Sequence, residues 1–354
     1  MEKKIKTNQA SCPSCGATMR YSPEKLKLFC ENCQSCKDIL FEQVKTKHSW
    51  EDRNEKTVQT KEWAQETKNL KCPNCGANVI LNKLEYSKAC PYCNSSLVGD
   101  TDELPSMAPD GIIPFIFGRD EAANKYVKGM RKKWFLPNKF KKAPPTDNIY
   151  GVYIPSFSYD AVTKSTYKGT LATDHTHRDL NGRTYTTTSY QHISGTHNSA
   201  YKDILVETSS KLNQAQFMAL EPYDMSKVVK FDQGFIMGYT VEHYENTLEE
   251  CKKVSEKIME DKVKVEILSH YHYDRVDAFS MSTGYSDQKY MYYLLPTYKC
   301  DYEYKNKKYT TFMNGQTGKV GTGYPKSPVK ITFFVLFWIL VFFGLVLFFT
   351  LAGN

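Results

Sequence analysis

The 354-residue sequence lacks the short motifs of several common enzyme classes. It has no G-x-x-x-x-G-K-[ST] loop for nucleotide phosphates, no G-x-S-x-G nucleophile elbow and no H-E-x-x-H zinc-protease helix. The nearest phosphate-loop candidate, Asn314–Lys319, has the wrong glycine spacing and places Val320 where a magnesium-binding hydroxyl belongs. We interpret Asn314-Gly315 as a hairpin turn instead, so the sequence does not favour nucleotide hydrolysis.

We also expect no secretory signal peptide. The chain begins MEKKIKTNQA, without the apolar stretch of a signal peptide. Disulfides persist mainly in secreted proteins, so a disulfide framework fits the 11 cysteines poorly, and we expect reduced cytoplasmic thiolates. The net charge of +8 permits an anionic partner, such as nucleic acid or a membrane surface, without requiring one.

What the sequence does contain is one four-cysteine unit in two copies, each made of two C-x2-C pairs. Such a pair places two thiolates on one tight turn, and two turns facing each other form a tetrahedral all-sulfur cage suited to zinc. In each copy a glycine follows the first pair and supplies the permissive backbone of the turn. The sequence therefore predicts two structural Zn²⁺ sites, with ligands Cys12, Cys15, Cys30 and Cys33 in the first, and Cys72, Cys75, Cys90 and Cys93 in the second.

Three cysteines remain outside these units. Cys36 extends the first unit and can compete as a ligand. Alignment of the two copies places it opposite Ser96, so we interpret it as a spare thiol. Cys251 is predicted to lie on the buried side of a helix, and no role is assigned to Cys300.

The C-terminal segment Ile331–Ala352 is an uninterrupted apolar run without charge. As a helix, its 22 residues would extend about 33 Å, close to the hydrocarbon thickness of a bilayer. Lys319, Lys326 and Lys330 precede it, and no charged residue follows it. By the positive-inside rule we expect a single transmembrane helix that keeps the N-terminal bulk in the cytoplasm.

The remaining chain divides by composition. Aromatic residues make up 14% of the sequence, which is typical of β-rich proteins. We predict an α+β architecture: a first zinc ribbon (1–44), a polar linker (45–70), a second zinc ribbon (71–99), another linker (100–111) and a β-rich domain (112–325), followed by the transmembrane helix (331–352).

Hydrophobic periodicity predicts the elements of the β-rich domain. A strand at 112–115 precedes a helix at 120–135, with an inward stripe of Ala122, Ala123, Tyr126, Val127, Met130 and Trp134. A hairpin at 166–194 turns at Asn181-Gly182, a type I′ signal. A second helix, 242–261, has Tyr244, Leu248, Cys251, Val254 and Ile258 inward. The strands 263–276, 290–304 and 307–315 follow.

The segment Tyr153–Asp160 resembles Leu294–Asp301 across eight positions. Each segment is predicted to begin a strand after a strand–helix unit. The similarity predicts a domain of two similar halves, each a helix against antiparallel strands.

Two histidine patterns have metal-chelating spacing. His175-x-His177 and His270-x-His272-x-Asp274 would each place side chains on one face of a strand. Threonines and tyrosines alternate through the same segments, however, so an exposed strand face explains both patterns, and we favour that interpretation over a third metal site.

A basic run at 125–142 has eight lysines or arginines and no acid. It predicts either a solvated helix face or an anionic contact. Among anionic partners we favour lipid over nucleic acid, because a membrane anchor holds the run close to the bilayer.

The order of motifs resembles a known group of proteins. CPxCGA units are followed by GIIPF with its helix, GVYIPSFSYD, SGTHNSAYKDILV, LLPTYKCDYEYKNKKYTTFMNGQTGKV and the apolar tail. This order is similar to that of bacterial membrane-anchored zinc-ribbon proteins, catalogued as TFIIB-type zinc-ribbon or primosomal-helicase-like proteins. The resemblance implies the eight zinc ligands named above. It also implies partnership with flotillin-like (SPFH-domain) and membrane-stress proteins at the cytoplasmic membrane.

Three functional hypotheses follow. The favoured one is a tail-anchored, non-catalytic adaptor that docks partner proteins at the membrane, because closed four-thiolate sites are structural rather than catalytic. The second is a membrane-tethered nucleic-acid-binding protein that uses the ribbons and the basic run. The third is a metal-dependent enzyme that uses the histidine patterns.

Overall fold

In the computed structural model a large β-sheet dominates a mixed α/β fold with few helices. The structure describes residues 11–44, 46–51, 53, 67–72, 74–82, 88–90, 96–97, 107–138, 148–180, 182–209, 211–304 and 306–352.

The described elements fall into three groups along the chain. The cysteine-containing part has the strands β1 (Arg20–Ser22), β2 (Lys27–Phe29), β3 (Cys36–Lys37), β4 (His48–Ser49), β5 (Thr67–Lys71), β6 (Asn78–Asn82), β7 (Lys88–Ala89) and β8 (Ser96–Leu97). The central part has β9 (Gly111–Ile112), α1 (Arg119–Arg131), β10 (Ile149–Arg178), β11 (Thr184–Glu207), α2 (Gln214–Met218), β12 (Val229–Lys230), β13 (Thr240–Glu242), α3 (Leu248–Ser269), β14 (Arg275–Tyr304) and β15 (Lys307–Asn314). The last helix is α4 (Pro328–Ala352).

The long strands β10 and β14 form the centre of a ten-stranded sheet with the order β12-β9-β14-β10-β13-β6-β5. They pair antiparallel from Ile149↔Cys300 to Ala172↔Arg275. β11 pairs with β10, and both β15 and β4 pair with β14. A separate three-stranded sheet, β1-β2-β3, carries the first cysteine unit.

Both faces of β10 are buried over residues 151–159. On β10, Tyr153 and Phe157 pack on the face covered by α1 and α3, whereas Ile154 packs on the opposite face with Phe217 and Leu220. This division follows from the two-residue side-chain period of a strand. Further along β10, over residues 161–166, buried and exposed residues alternate, because only one face is covered there.

The first helix is shorter than the sequence predicts. Ala122, Ala123, Tyr126 and Met130 are buried, as expected, but α1 ends at Arg131. The prediction is wrong for Trp134, which lies beyond the helix and is 71% exposed. A proline at position 137 follows closely, and the residue before a proline disfavours helical backbone.

The predicted hairpin is confirmed as β10 and β11, but its turn differs. The last paired residues are Arg178 and Thr184, and the N–H of Gly182 donates to the carbonyl of Asp179 (3.0 Å). Gly182 has φ of +78°. Five residues, 179–183, lie between the last paired residues, so the connection is longer than the predicted two-residue type I′ turn, and Asn181 itself lies outside the described residues.

The second long helix is displaced towards the C-terminus of its predicted range. α3 begins after Thr247, whose hydroxyl accepts the N–H of Glu250 while the Glu250 carboxylate accepts the N–H of Thr247. Its buried side includes Leu248 and Cys251, as predicted, but Val254 is exposed. The helix continues to Ser269 with further buried residues, so the predicted strand at 263–276 is wrong over most of its length.

The two similar eight-residue segments lie on adjacent strands. Ile154 of the first is opposite Leu295 of the second. β10 also pairs in parallel with β13 at Tyr153, and β14 pairs in parallel with β9 at Leu294. Each segment therefore has a short parallel neighbour at the same position, and that neighbour comes from the other half of the domain.

Part of the predicted polar linker packs on the sheet. Residues 46–51, here called the strap, pair with β14 through β4. The ammonium of Lys47 bonds Asp160 and Asp203 (both 2.7 Å), and the Trp50 ring lies 6.4 Å from that of Tyr159. The rest of this linker, apart from residues 53 and 67–70, lies outside the described residues.

Helix α4 is apolar on all sides. The segment Pro328–Thr350 has a mean hydropathy of 2.9 and none of it is buried in the protein. By length and composition it can cross a membrane. Ser327 precedes it, and the Ser327 carbonyl accepts the N–H of Ile331 (3.1 Å).

Candidate metal centres

The first cysteine unit forms one compact cluster. The sulfur atoms of Cys12, Cys15, Cys30 and Cys33 all lie within 4.8 Å of one another. The Sγ atoms of Cys12 and Cys33 are 3.4 Å apart, and those of Cys15 and Cys30 are 3.5 Å apart. A disulfide requires about 2.05 Å, whereas a tetrahedral zinc site with Zn–S bonds of about 2.3 Å separates its sulfurs by about 3.8 Å. The residues present therefore fit a tetrahedral metal ion.

Local backbone geometry explains why the cysteines converge. The Cys12 carbonyl accepts the N–H of Gly16 (2.9 Å), and the Cys30 carbonyl accepts that of Gln34 (2.9 Å). Gly16 and Gln34 follow the second cysteine of each pair and have φ of +74° and +61°. The left-handed residue closes each turn so that both sulfurs point to the same side. Sequence reasoning found this role for the glycine but not for Gln34.

A hydroxyl supports the thiolates of this cluster. Ser35 Oγ lies 2.9 Å from the sulfur of Cys12 and 3.1 Å from that of Cys33. The Ser35 hydrogen bond lowers the pKa of Cys12 to about 5 and also lowers the pKa of Cys33. Metal binding requires the thiolate form, so Ser35 favours the state that holds the ion. The C-x2-C pattern alone gave no signal for this residue.

The second unit repeats the geometry as far as it is described. The sulfur atoms of Cys72, Cys75 and Cys90 cluster within 4.8 Å, with 3.6 Å between those of Cys75 and Cys90. The Cys72 carbonyl accepts the N–H of Gly76 (2.8 Å), and Gly76 has φ of +70°. The fourth predicted ligand, Cys93, lies outside the described residues.

The other cysteines lie away from both clusters. Cys36 is exposed on β3 and does not belong to the first cluster. Cys251 and Cys300 are buried in the main core. Burial raises the pKa of Cys251 to about 12 and raises that of Cys300 well above its usual range, so both are neutral core thiols at physiological pH.

The first cluster is attached to the β-rich domain. Tyr21, on β1, donates its hydroxyl to the Phe115 carbonyl (3.2 Å) and its N–H to the Met237 carbonyl (3.0 Å). Its ring packs edge-on against Phe235 at 5.5 Å. Cys12 and Cys30 belong to the same buried cluster as the central sheet. A metal ion held by these thiols is therefore coupled to the packing of the main core.

The second unit is attached through the sheet itself. β6, which follows Cys75, pairs antiparallel with β13, and Val241 lies opposite Ile80. The ammonium of Lys211 donates to the Cys75 carbonyl (2.5 Å).

An apolar groove with a volume of 590 Å³ lies between the part of the chain that carries the first cysteine unit and the central part. Leu26 and Phe41 line it from the N-terminal part, and Ile116, Val228 and Thr317 from the central part. Leu26, Phe41 and Ile116 are 44%, 46% and 52% exposed. Exposed apolar side chains clustered in one groove are typical of sites that contact another molecule.

The histidine patterns do not form a third metal cluster among the described residues. His175 and His177 do share one exposed face of β10, with rings 6.4 Å apart, and their Nε2 atoms bond Ser189 and Thr187. The predicted strand placement of His270 and His272 is wrong. His270 caps the C-terminus of α3, and His272 lies in the following turn, because the helix continues further than predicted.

A serine, a histidine and a glutamate meet between β11 and α3. His197 Nε2 lies 2.9 Å from Ser199 Oγ and 3.0 Å from Glu266 Oε2. Ser199 also donates directly to Glu266 (2.5 Å). A hydrolytic triad needs the acid and the serine on opposite ring nitrogens of the histidine. Both contacts here use Nε2, so these bonds hold α3 on the sheet rather than activating the serine.

The glycine-rich segment after β15 forms a closed turn, as predicted for Asn314-Gly315. The N–H of Asn314 donates to the Lys319 carbonyl (2.9 Å), and its side-chain oxygen accepts the N–H groups of Gln316 and Thr317 (2.8 and 2.9 Å). The side-chain amide of Asn314 donates to the Leu220 carbonyl (3.1 Å). The Asn314 side chain is thus fully used in holding the turn together.

Comparison with known proteins gives one relative. No protein-family model matches the sequence, and no solved structure matches it. The chain is similar to "Uncharacterized protein YdjG" of Bacillus subtilis (strain 168), with 27% identity over 232 residues. The aligned region covers 64% of this chain and 66% of that protein, just under two thirds of either.

Proposed function

We propose that this chain is a zinc-ribbon adaptor that is anchored by α4 and docks partner proteins at the cytoplasmic face of a bacterial membrane. The first cluster carries the proposal: four protein thiols complete a tetrahedral metal site and leave no position for a substrate. Such a site stabilises a fold and a surface. The Zn²⁺ supplies folding free energy when bound, and Cys12, Cys15, Cys30 and Cys33 hold it.

The second zinc site belongs to the same proposal. Cys72, Cys75 and Cys90 converge as the first unit does, and Cys93 supplies the fourth thiol by the repeated spacing. Zinc is favoured over other metals because an all-thiolate, four-coordinate site suits it, and because reduced thiols are the normal state in the cytoplasm.

The docking surface is the apolar groove between the part that carries the first cysteine unit and the central part. Phe41 and Ile116 come from segments on either side of it and are each about half exposed. Tyr21 attaches the first cluster to the domain, so zinc loss would disturb the wall of the groove. The resemblance noted in the sequence implies a flotillin-like (SPFH-domain) protein or a membrane-stress protein as the partner.

The proposal is tested by crosslinked affinity purification from native membranes. We compare the full chain with Phe41→Ser/Ile116→Ser, and use Leu180→Ser as the control because Leu180 is a fully exposed apolar residue at the hairpin tip. We expect one protein to co-purify with the full chain and the control and to be lost with the groove variant. Recovery of no protein above background, or of the same protein with all three chains, would reject the adaptor.

The cytoplasmic position rests on the lysines before α4. Lys319, Lys326 and Lys330 precede the apolar helix, and positive charge is retained on the cytoplasmic side.

We also propose that the β-rich domain arose by duplication of one strand–helix–strand unit. In this proposal the first half contains β9, α1 and β10, and the second contains β13, α3 and β14. The support is an exchange of short strands between the halves, because β9 pairs with β14 and β13 pairs with β10. A matching exchange on both sides follows naturally if two copies of one unit once associated as a dimer.

A further inference from the structure

The turn after α1 is joined directly to the start of α4. Ser327 donates its N–H to the Phe135 carbonyl (2.7 Å), and the Lys330 ammonium donates to the Leu136 carbonyl (2.7 Å). The ring of Phe135 packs edge-on against Phe334 at 5.4 Å. The end of α1 is therefore held beside the first turns of the apolar helix.

An aromatic notch lies at this junction, with a volume of 850 Å³. It is lined by Trp134, Phe135, Lys330, Phe334, Phe337 and Trp338. The volume is within the range of about 300–1,000 Å³ usual for small-molecule sites. Trp134 is 71% exposed. Burial of an indole ring is favourable, and an exposed ring does not gain this free energy. Burial of the Trp134 ring against an apolar group would therefore be favourable.

The position of the notch along α4 identifies the kind of occupant. From Lys330 to Trp338 the helix rises about 12 Å, and half of a bilayer's hydrocarbon layer is about 15 Å. With Lys330 at the membrane surface, the notch extends among the acyl chains of one leaflet, and its Lys330 end lies at the boundary with the lipid headgroups. Tryptophan is enriched at this depth, because its ring is apolar and its N–H is polar.

Lysines lie next to the notch residues in the sequence. Lys132 and Lys133 are the two residues before Trp134, and Lys326 is the residue before Ser327. Neither Lys132 nor Lys326 has an ion pair with another described residue, and both are exposed. Each lysine near an anionic membrane surface contributes about 1 kcal/mol of attraction.

We propose that the aromatic notch binds one anionic phospholipid, with an acyl chain against Trp134 and Phe334 and the phosphate beside Lys132 and Lys326. The inference rests on the proposed membrane span of α4. It gives the basic run a ligand and gives the exposed Trp134 an apolar environment. The bound lipid would fix the orientation of the β-rich domain on the membrane surface.

The test measures lipid retention by the full chain. The protein is extracted from vesicles that contain equal amounts of phosphatidylglycerol and phosphatidylcholine, and bound lipid is counted by native mass spectrometry. We expect one phosphatidylglycerol to be retained in preference to phosphatidylcholine. Trp134→Ser should reduce retention of both lipids. Lys132→Gln and Lys326→Gln should each reduce only the preference, by about fivefold, the factor that corresponds to about 1 kcal/mol.

Matched controls are available far from the notch. Leu180→Ser removes another exposed apolar side chain, and Lys253→Gln removes an exposed charge on α3. Equal retention of the two lipids by the unaltered chain, or equal loss in the notch and control variants, would overturn the proposal. If the chain is recovered outside the membrane fraction, both the span and the lipid site are rejected. Normal lipid retention with no co-purified partner would reject the adaptor alone.

Discussion

Nε2 of His48 lies 2.7 Å from Oδ1 of Asp110, and the second oxygen of that carboxylate accepts the N–H of Tyr292 in the central sheet (2.8 Å). The hydrogen bond to Asp110 raises the pKa of His48. One carboxylate thus connects the strap to β14. The strap follows the first cysteine unit in the chain, so this pair helps to fix that unit against the β-rich domain.

This pair makes stability depend on pH. Because the folded pKa of His48 is raised above its unfolded value of about 6.5, its contribution is complete below about pH 6.5 and is lost as the pH rises through the folded pKa. The pair is partly exposed, so His48→Gln should lower the free energy of unfolding at low pH by only about 0.5–1 kcal/mol. Urea unfolding in detergent across this pH range measures the difference. The exposed His192→Gln is the control, and identical profiles for the two variants would contradict the assignment.

Metal content distinguishes ligands from the other cysteines. We expect two zinc ions in the purified chain and one after Cys12→Ser or Cys72→Ser, because three thiols hold zinc far less tightly than four. Cys36→Ser should keep both ions, since Cys36 lies outside the first cluster. Cys93→Ser tests the ligand that lies outside the described residues. Elemental analysis measures the ratio, and a single zinc in the unaltered chain would remove the second site.

Removing a buried carboxylate should stabilise the protein. Desolvation, with the nearby Glu242 charge, raises the pKa of Glu207 to about 8. A raised carboxyl pKa means that stability is complete below the unfolded pKa of about 4.3 and falls as the pH rises to about 8. Glu207→Gln keeps an acceptor for the Ser209 N–H and should raise the free energy of unfolding above pH 8 by on the order of 1–3 kcal/mol.

The pKa of Glu250 is shifted in the opposite direction to that of Glu207, so Glu250 serves as the comparison. Its pKa is lowered by hydrogen bonds from Thr247, so its contribution is present above the unfolded value and lost as the pH falls. Glu250→Gln should therefore weaken the start of α3 at neutral pH. Thermal unfolding of both variants at several pH values provides the measurement, and a shift of the same sign in both would show that desolvation does not dominate at Glu207.

Membrane orientation can be tested at the hairpin tip. Leu180 is fully exposed, so Leu180→Cys introduces a reactive thiol without disturbing packing. In intact cells we expect a membrane-impermeant maleimide to leave it unlabelled, and to label it after the membrane is opened. Cys36, also exposed, should behave in the same way. Labelling in intact cells would place the β-rich domain outside the cytoplasm.

The clustering of the cysteines was predictable because their geometry is local. Each pair of ligands, and the left-handed Gly16 that closes its turn, lie within a few consecutive residues. The β10–β11 hairpin was predictable for the same reason, since alternation and a glycine turn are short-range signals.

The boundaries of α3 show where local reasoning failed. Alternation of apolar and polar residues predicted a strand at 263–276, but Val263 and Ile267 are four positions apart and share the buried face of a helix. The sequence did contain a start signal, Thr247-x-x-Glu250, which is a capping box. The pairing of β6 with β13 joins residues far apart in the chain, and no local pattern encodes it.

Through the β6–β13 pairing, the second cysteine unit covers one edge of β13. If its metal is removed and β6 separates, the polar groups of Thr240–Glu242 lose their neighbour on that side. An uncovered strand invites pairing with another polypeptide. Removal of a metal ion from this cluster would then promote self-association of the chain through the uncovered strand.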